Sequence, residues 1–179
     1  MEYKDKLIGK TIYKIYMNEL YLVFITAPDN SEVVAFGVWG DCCSHSYFHD
    51  FIGVKNILGK KVVEFKRIGL EGSEHSSNYN TRKEMTKEGL PITPGHFHLF
   101  VFSEDGKTFN ADGNYELEDE YAVQYYGYKI IVDDGQSAVF AFRNSSNGYY
   151  GGEMGLLHSA TENPIPDEKY RLENDYLGD

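Results

Sequence analysis

The chain has 179 residues, of which 41% are hydrophobic and 15% aromatic. This length and composition indicate one packed globular domain, residues 1–179, and exclude an intrinsically disordered chain. The formal net charge is −11, from 28 acidic and 17 basic side chains, with no basic run. Such a balance repels a phosphate backbone, so we expect no direct nucleic-acid binding.

The cysteines and the N-terminus predict the compartment. The two cysteines, Cys42 and Cys43, are adjacent, so the disulfide framework of a secreted domain is excluded. Residues 1–6 are charged where a secretory signal needs an apolar segment, and the apolar runs are too short to span a bilayer. We therefore expect a cytoplasmic protein without a membrane partner.

The first third of the chain predicts an antiparallel meander of three strands. Its apolar runs are residues 11–17, 21–26 and 33–39. In the first run Tyr13, Ile15 and Met17 share one face, because alternate residues of a strand point the same way. The turn cluster at residues 28–31 joins the other two runs into a hairpin.

A short helix and a further strand are predicted next. Ser46 is a suitable N-cap for a helix with an apolar side at helical spacing. The residues of that side are Tyr47, Phe48, Phe51 and Ile52. Residues 61–68 then have strand character, with Val63 and Phe65 on one face.

The middle of the chain is more polar. Residues 71–95 lack apolar periodicity and are predicted to be a surface insertion, and a lid is one function of long loops of this kind. Residues 96–103 alternate as a strand and end at the hairpin turn 104–106. Seven carboxylates between residues 104 and 120 indicate a solvated acidic face, because the ligand spacing of an EF-hand calcium loop is absent.

The clearest hairpin joins residues 122–132 and 137–143 through the turn 133–135. One face of its first strand carries Tyr126, Tyr128, Ile130 and Val132. Residues 153–158 are expected to return as a strand, and residues 162–179 form a polar C-terminal tail. The whole pattern predicts an α+β or mainly antiparallel β fold, a sheet or a partly closed barrel or sandwich, with one short helix packed on it.

Two motifs at predicted strand ends are the candidates for chemistry. They read G-D-C-C-S-H-S at residues 40–46 and R-N-S-S-N-G-Y-Y-G-G at residues 143–152. Loops at strand ends can converge on a shared site, so we expect the two motifs to lie close together. The glycines of the second motif permit a backbone nest for an anion, Arg143 offers a fork for phosphate, and its tyrosines offer a stacking surface. The alternative interpretation is that these residues only build tight turns.

The first motif also allows a cysteine nucleophile, Cys42 or Cys43, activated by His45 or His49. The same four residues could be proposed as metal ligands. Adjacent residues in an extended chain point to opposite faces, so the two cysteines need a distorted backbone to hold one ion. A free cysteine is most often a small buried hydrophobe, which is the alternative here.

His96 and His98 lie on one face of a predicted strand and resemble the H-x-H of cupin metal sites. The acidic residue of that motif is displaced and the second cupin motif is missing. We therefore expect no metal and no cofactor, with these two histidines on a hydrated sheet face.

Three motifs together resemble an uncharacterised domain family of phages and bacteria. They are G-D-C-C-S-H-S-Y-F at residues 40–48, Y-G-Y-K-I at residues 126–130, and the motif at residues 143–152. The resemblance covers the core of the chain and leaves residues 71–120 and the tail as extensions. It implies a phage-related context, and host cytoplasm as the compartment, but no reaction.

The sequence therefore predicts a non-catalytic, phage-related binding protein that captures a small nucleotide-like anion, with counter-defence as the role that the phage-related context suggests. The predicted ligand-binding residues are Asp41, Ser44, Arg143, Asn144, Ser145, Ser146, Asn147, Gly148, Tyr149 and Tyr150. One alternative is an acidic inhibitor of a host nucleic-acid-binding or defence protein. Another is a small enzyme with a cysteine nucleophile, for which Cys42, Cys43 and His45 are the catalytic candidates. A homo-oligomer is left open.

Overall fold

The structure is a computed structural model that describes residues 3–68, 100–102, 108–110, 122–146, 150–157 and 167–176. Within these ranges the chain forms β-strands and one short α-helix. They are β1 Lys14–Met17, β2 Tyr21–Ile25, β3 Val33–Gly40, β4 His45–Ile52, α1 Val54–Ile57, β5 Val62–Ile68, β6 Phe100–Phe102, β7 Thr108–Asn110, β8 Ala122–Val132, β9 Ser137–Ser146 and β10 Gly152–Leu156. No helix in the described ranges is long and apolar enough to cross a membrane.

The strands form two open four-stranded sheets and one two-stranded sheet. The first sheet has the order β1-β2-β3-β10, the second has the order β4-β9-β8-β5, and β6 pairs with β7. Every strand pair is antiparallel. The predicted class, mainly antiparallel β with one short helix, is confirmed.

The two four-stranded sheets face each other across one apolar core. Phe24 of the first sheet lies 6.4 Å from Phe51 of the second, between ring centroids, and Phe36 lies 5.6 Å from Phe65. All four rings are buried. The architecture is therefore a β-sandwich, in which each strand contributes alternate side chains to the space between the sheets.

The hairpin of β8 and β9 forms the centre of the second sheet and confirms the prediction for residues 122–143. Its strands pair from Ala122 with Ser146 to Ile131 with Ser137. Tyr128 stacks on Phe140 of the facing strand with 5.3 Å between ring centroids. The four predicted inward residues of β8 are all buried in the core: Tyr126, Tyr128, Ile130 and Val132.

The helix predicted after Ser46 is wrong, because residues 45–52 form strand β4. A bulge between Phe48 and Asp50 shifts the register against β9. The extra residue reverses the side-chain alternation, so Phe48 and Phe51, three residues apart, both enter the core. Spacing that resembled a helix therefore comes from a bulged strand. The short helix of the fold lies just beyond, at α1.

A second bulge corrects the prediction that Val63 shares a face with Phe65. The register of β5 against β8 shifts between Val62 and Glu64. Val62 and Phe65 are buried, whereas Val63 is 49% exposed. Tyr13 also departs from prediction: it precedes β1 and is 40% exposed, so it does not share the buried face of Ile15 and Met17.

The described part of the predicted tail, residues 167–176, contacts both large sheets. Arg171 forms a β-bridge with Tyr16 of β1, and Tyr176 forms one with Phe51 of β4. Between them Leu172 is buried in the core. This segment therefore ties the two sheets together.

The meander of the first three strands, the pairing of β6 with β7 and the return strand β10 are confirmed. The insertion at 71–95, the histidines His96 and His98, and most of the acidic segment 104–120 lie outside the described residues.

Candidate functional site

The candidate site lies where the chain crosses twice between the two sheets. The segment after β3 carries the chain from the first sheet into β4 of the second, and the segment after β9 carries it back into β10. Because β10 pairs with β3 and β9 pairs with β4, both crossings lie at the same end of the sandwich. We call this place, the described residues 40–46, 143–146 and 150–152, the crossover junction.

Hydrogen bonds join the two motifs directly. The Asp41 N–H donates to the Gly151 carbonyl at 3.2 Å, and the Gly151 N–H donates back to Oδ2 of Asp41 at 3.2 Å. The Ser44 hydroxyl donates to the same Gly151 carbonyl at 3.1 Å. Segments about a hundred residues apart in sequence therefore form one surface, as the sequence predicts.

Two glycines allow this close approach. A Cβ atom at Gly40 would lie 2.3 Å from the Ser44 hydroxyl oxygen, and one at Gly152 would lie 2.3 Å from the Ser46 hydroxyl oxygen. Either contact is far inside the van der Waals limit. Gly40 opens the first motif and Gly152 closes the second. Both thus have a packing role, because a Cβ atom at either position would force its neighbours to move.

Buried polar side chains support the junction from below. Asn144 Nδ2 and the Ser146 hydroxyl both donate to the Tyr150 carbonyl, at 2.8 Å and 2.9 Å. The Ser46 hydroxyl lies 3.2 Å from Oδ1 of Asn144. Asn144 and Ser146 are predicted ligand-binding residues, and here they position the backbone of Tyr150. Ser145 lies on β9 with a side chain outside the description, and residues 147–149 are outside it altogether.

Arg143, the predicted anion fork, is fully buried and faces a carboxylate. Its Nη2 lies 3.2 Å from Oδ2 of Asp50, which is also fully buried. The other carboxylate oxygen, Oδ1, lies 3.0 Å from Nδ1 of His49. Arg143 also lies close to the Tyr47 hydroxyl. Its role towards an anionic ligand stays a prediction.

An aromatic row runs along β4 above this ion pair. The rings of His45 and Tyr47 stack with centroids 5.4 Å apart, and His49 meets Tyr47 edge-on at 6.1 Å. Burial raises the pKa of Tyr47, and the Arg143 charge opposes that rise. Tyr47 is therefore a neutral hydrogen-bonding group at physiological pH.

Sequence reasoning did not assign Asp50 a role. The signal was present, because an aspartate within Y-F-H-D-F-I and an arginine after V-F-A-F are single charges in otherwise apolar strands. Two such charges of opposite sign predict a buried pair, since an isolated buried charge is too costly to keep. Recognising the pair requires knowing that β4 lies beside β9.

Cys42 and Cys43 are exposed, contrary to the alternative that they are buried hydrophobes. Their Sγ atoms lie 3.6 Å apart. The hydrogen bond and the charge of Cys43 raise the pKa of the Cys42 thiol, so that thiol stays protonated at neutral pH. This is the opposite of an activated nucleophile, and the predicted enzyme role of the cysteines stays a prediction. His45 stacks on Tyr47.

The described residues also show whether the junction could hold a metal and what charge its surface carries. Among the described residues, no group of three or more His, Cys, Asp or Glu side chains is placed to hold a metal. Trp39 is 45% exposed beside the junction, and its Nε1 lies 3.3 Å from Glu153. Asp41 adds an exposed carboxylate. The described surface here is thus aromatic and acidic.

Comparison with known proteins gives no relative: no protein-family model, no curated protein and no solved structure matches this chain. The resemblance of the two motifs to a phage and bacterial domain family therefore stays a prediction.

Proposed function

We propose that the protein is a non-catalytic binding protein that takes a small nucleotide-like ligand at the crossover junction. The observation that carries the proposal is the reciprocal pair of hydrogen bonds between Asp41 and Gly151. These bonds fix two loops against each other at the end of a rigid sandwich. Binding sites are commonly built from loops that such a scaffold positions.

The side chains at the surface of the junction suit a nucleobase. Tyr150 is half-buried, and an aromatic ring at the rim of a site offers a stacking face. Asp41 uses Oδ2 for Gly151, and an ionised carboxylate has further acceptor capacity on its second oxygen. An amino group or ring N–H of a base is the donor that fits this acceptor.

The anionic part of the ligand is expected to contribute less. Arg143 is its predicted partner, but the guanidinium is buried against Asp50, which offsets its charge. Asp41 and Glu153 repel a phosphate placed directly over them. We therefore assign the direct contacts to the base and the sugar. A phage counter-defence role, capture of a nucleotide signal of the host, belongs to this proposal through the motif resemblance.

Isothermal titration against a panel of ligands tests the proposal. The panel contains nucleosides, their monophosphates, cyclic mononucleotides and dinucleotides, and inorganic phosphate. We expect heat from at least one base-containing ligand and none from inorganic phosphate. No binding by any base-containing ligand to a folded sample, with folding checked by circular dichroism, would sink the proposal.

The variant Asp41→Asn sharpens the test. Asparagine keeps an oxygen that can accept from Gly151, while its amide nitrogen replaces the second acceptor with a donor. We expect affinity to fall about tenfold or more, the value of a hydrogen bond to a charged group. The matched control is Asp29→Asn in the β2–β3 turn, which the eight residues of β3 place about 25 Å away. Equal affinities for the two variants would place the ligand elsewhere.

A further inference from the structure

Cys42 and Cys43 occupy the centre of a tight turn. The Ser44 N–H donates to the Asp41 carbonyl at 3.0 Å, and the Ser44 hydroxyl lies 3.2 Å from the same oxygen. In an extended strand two adjacent side chains point to opposite faces. In this turn the two side chains instead lie on the same side, with their Sγ atoms 3.6 Å apart.

The turn presents this pair on a supported backbone. Asp41, at its start, is bonded to Gly151 in both directions, and Ser44, at its end, is bonded to the Gly151 carbonyl. Both thiols are exposed. The Tyr150 hydroxyl lies close to the two sulfurs, so a third polar atom lies at the rim.

We propose that Cys42 and Cys43 form a two-thiolate binding site for a thiophilic ion. The separation of the sulfurs suits one ion between them. With a metal–sulfur distance of about 2.3 Å, a sulfur separation of 3.6 Å gives an S–ion–S angle of about 100°, near the tetrahedral value. The ion can enter without movement of the turn.

The ligand set selects the class of ion. A structural zinc site needs four protein ligands, and no third His, Cys, Asp or Glu is grouped with the two thiols among the described residues. Soft ions prefer thiolate ligands and include those that two thiolates satisfy. Trivalent arsenic accepts this bent arrangement, so an arsenical is the primary probe. Monovalent copper, which two thiolates hold in a line, is the second probe of this class.

The reaction with a trivalent arsenical is balanced without an oxidant. Two S–H bonds and the As=O bond of an aryl arsenoxide break, two As–S bonds form, and the oxygen leaves as water with both thiol protons. Copper(I) binding displaces both thiol protons into solvent, so the affinity for copper(I) is expected to rise with pH. The arsenical reaction releases no net proton, because both protons go into the water that is formed.

Chelation fits the geometry better than a disulfide between the same residues. A disulfide needs the sulfurs about 2.0 Å apart and Cα atoms 4.4–6.8 Å apart, whereas adjacent residues have Cα atoms about 3.8 Å apart. The sulfurs must therefore approach by about 1.5 Å and strain the turn. An ion bridges them where they are. This inference does not rest on the nucleotide proposal, because the ion uses sulfur and the nucleotide uses Asp41 and Tyr150.

The test titrates the reduced, folded protein with phenylarsine oxide and, separately, with copper(I) held by a chromophoric competitor. Intact-mass spectrometry is expected to show one arsenical per chain with loss of one water. Cys42→Ser and Cys43→Ser are each expected to weaken binding about 100-fold, because the second thiolate then no longer binds intramolecularly. A dithiol, but not a monothiol, is expected to remove the arsenical.

The wild-type chain in denaturant is the control for a built site, because it keeps both thiols and loses the turn. We expect it to bind the arsenical more weakly than the folded protein. Equal affinity of the folded and denatured chains would overturn the proposal. So would a single-serine variant that binds as tightly as the wild type, or a folded protein that takes up neither probe.

Discussion

Asp50 and Arg143 carry opposite charges on neighbouring strands, and neither is exposed to solvent. Removing two charges from water is costly, and their mutual attraction offsets this cost only when the geometry is good and further hydrogen bonds are made. Here His49 supplies such a bond to the Asp50 carboxylate. Removing only one of the two charges is therefore expected to destabilise the fold, because the other charge would stay buried without its partner.

The variant Asp50→Asn tests this pair. We expect the free energy of unfolding in urea to fall by about 3–5 kcal/mol, because the Arg143 charge is left without its counter-charge in the interior. Asp133→Asn, in the exposed β8–β9 turn, is the matched control and is expected to change stability little.

A double variant tests whether the loss of stability comes from the uncompensated charge of Arg143. Adding Arg143→Met to Asp50→Asn removes the remaining charge, so the loss is expected to be smaller than for Asp50→Asn alone. If Asp50→Asn instead behaves like Asp133→Asn, the buried pair does not contribute to stability as argued.

At the scale of the elements, bulges in β4 and β5 decide which side chains enter the core. Each inserts one residue, so that side chains three apart, Phe48 with Phe51 and Val62 with Phe65, point inward. In β4 the bulge also lies at His49, beside the buried Asp50. The same irregularity therefore places both a core residue and a charge.

The turn from β4 into α1 depends on Gly53. This residue has φ of 87°, and a Cβ atom there would lie 2.7 Å from the Ser137 carbonyl oxygen. Gly59, just after α1, has φ of 77° but open space around it. Both residues adopt the left-handed conformation that favours glycine, and only Gly53 is also sterically confined.

Alanine at each position separates the two effects. Gly59→Ala is expected to cost about 1–2 kcal/mol of unfolding free energy, the strain of a left-handed residue with a side chain. Gly53→Ala is expected to cost more, because the clash adds to the strain. Thermal unfolding of both variants is the measurement. Equal losses of unfolding free energy would contradict the steric confinement of Gly53.

At the scale of the whole molecule, the sandwich is held together by chain segments as well as by its core. The two crossings of the junction join the sheets at one end, and residues 167–176 bridge β1 and β4. Asp175 adds hydrogen bonds to the backbone N–H groups of Gly53 and Val54. The sheets are therefore expected to unfold together.

Leu172→Ala tests the C-terminal segment. Leu172 is 9% exposed and packs in the shared core, so its truncation is expected to cost about 2–5 kcal/mol, towards the lower end because it lies at the edge. Urea unfolding is followed by the fluorescence of Trp39, the single tryptophan, and by circular dichroism. We expect the two transitions to coincide.

The control is Asn174→Ala in the same segment, which is exposed and expected to change stability little. A loss no larger than that of the control would show that the segment does not bind the sheets together. If fluorescence and circular dichroism gave different unfolding transitions, the two sheets would unfold independently.

The sequence predicts the parts of this fold that local physics determines. Alternation and turn residues locate the hairpin of β8 and β9, the first three strands and the return strand β10, because side-chain period and turn chemistry act between near neighbours. The mainly antiparallel class follows from them. The sequence pattern did not predict the bulges, because the extra residue reverses the side-chain alternation and gives a spacing like that of a helix, as at Phe48 and Phe51.

For the site, the sequence alone locates the unusual residues, because glycine, cysteine and single charges in apolar strands are visible without a structure. Their contacts are known only from the tertiary structure. It brought Asp41 against Gly151, buried Arg143 against Asp50, and turned the sulfurs of Cys42 and Cys43 to one side. Each of these depends on pairing β3 with β10 and β4 with β9, contacts between distant parts of the chain whose geometry no local pattern specifies.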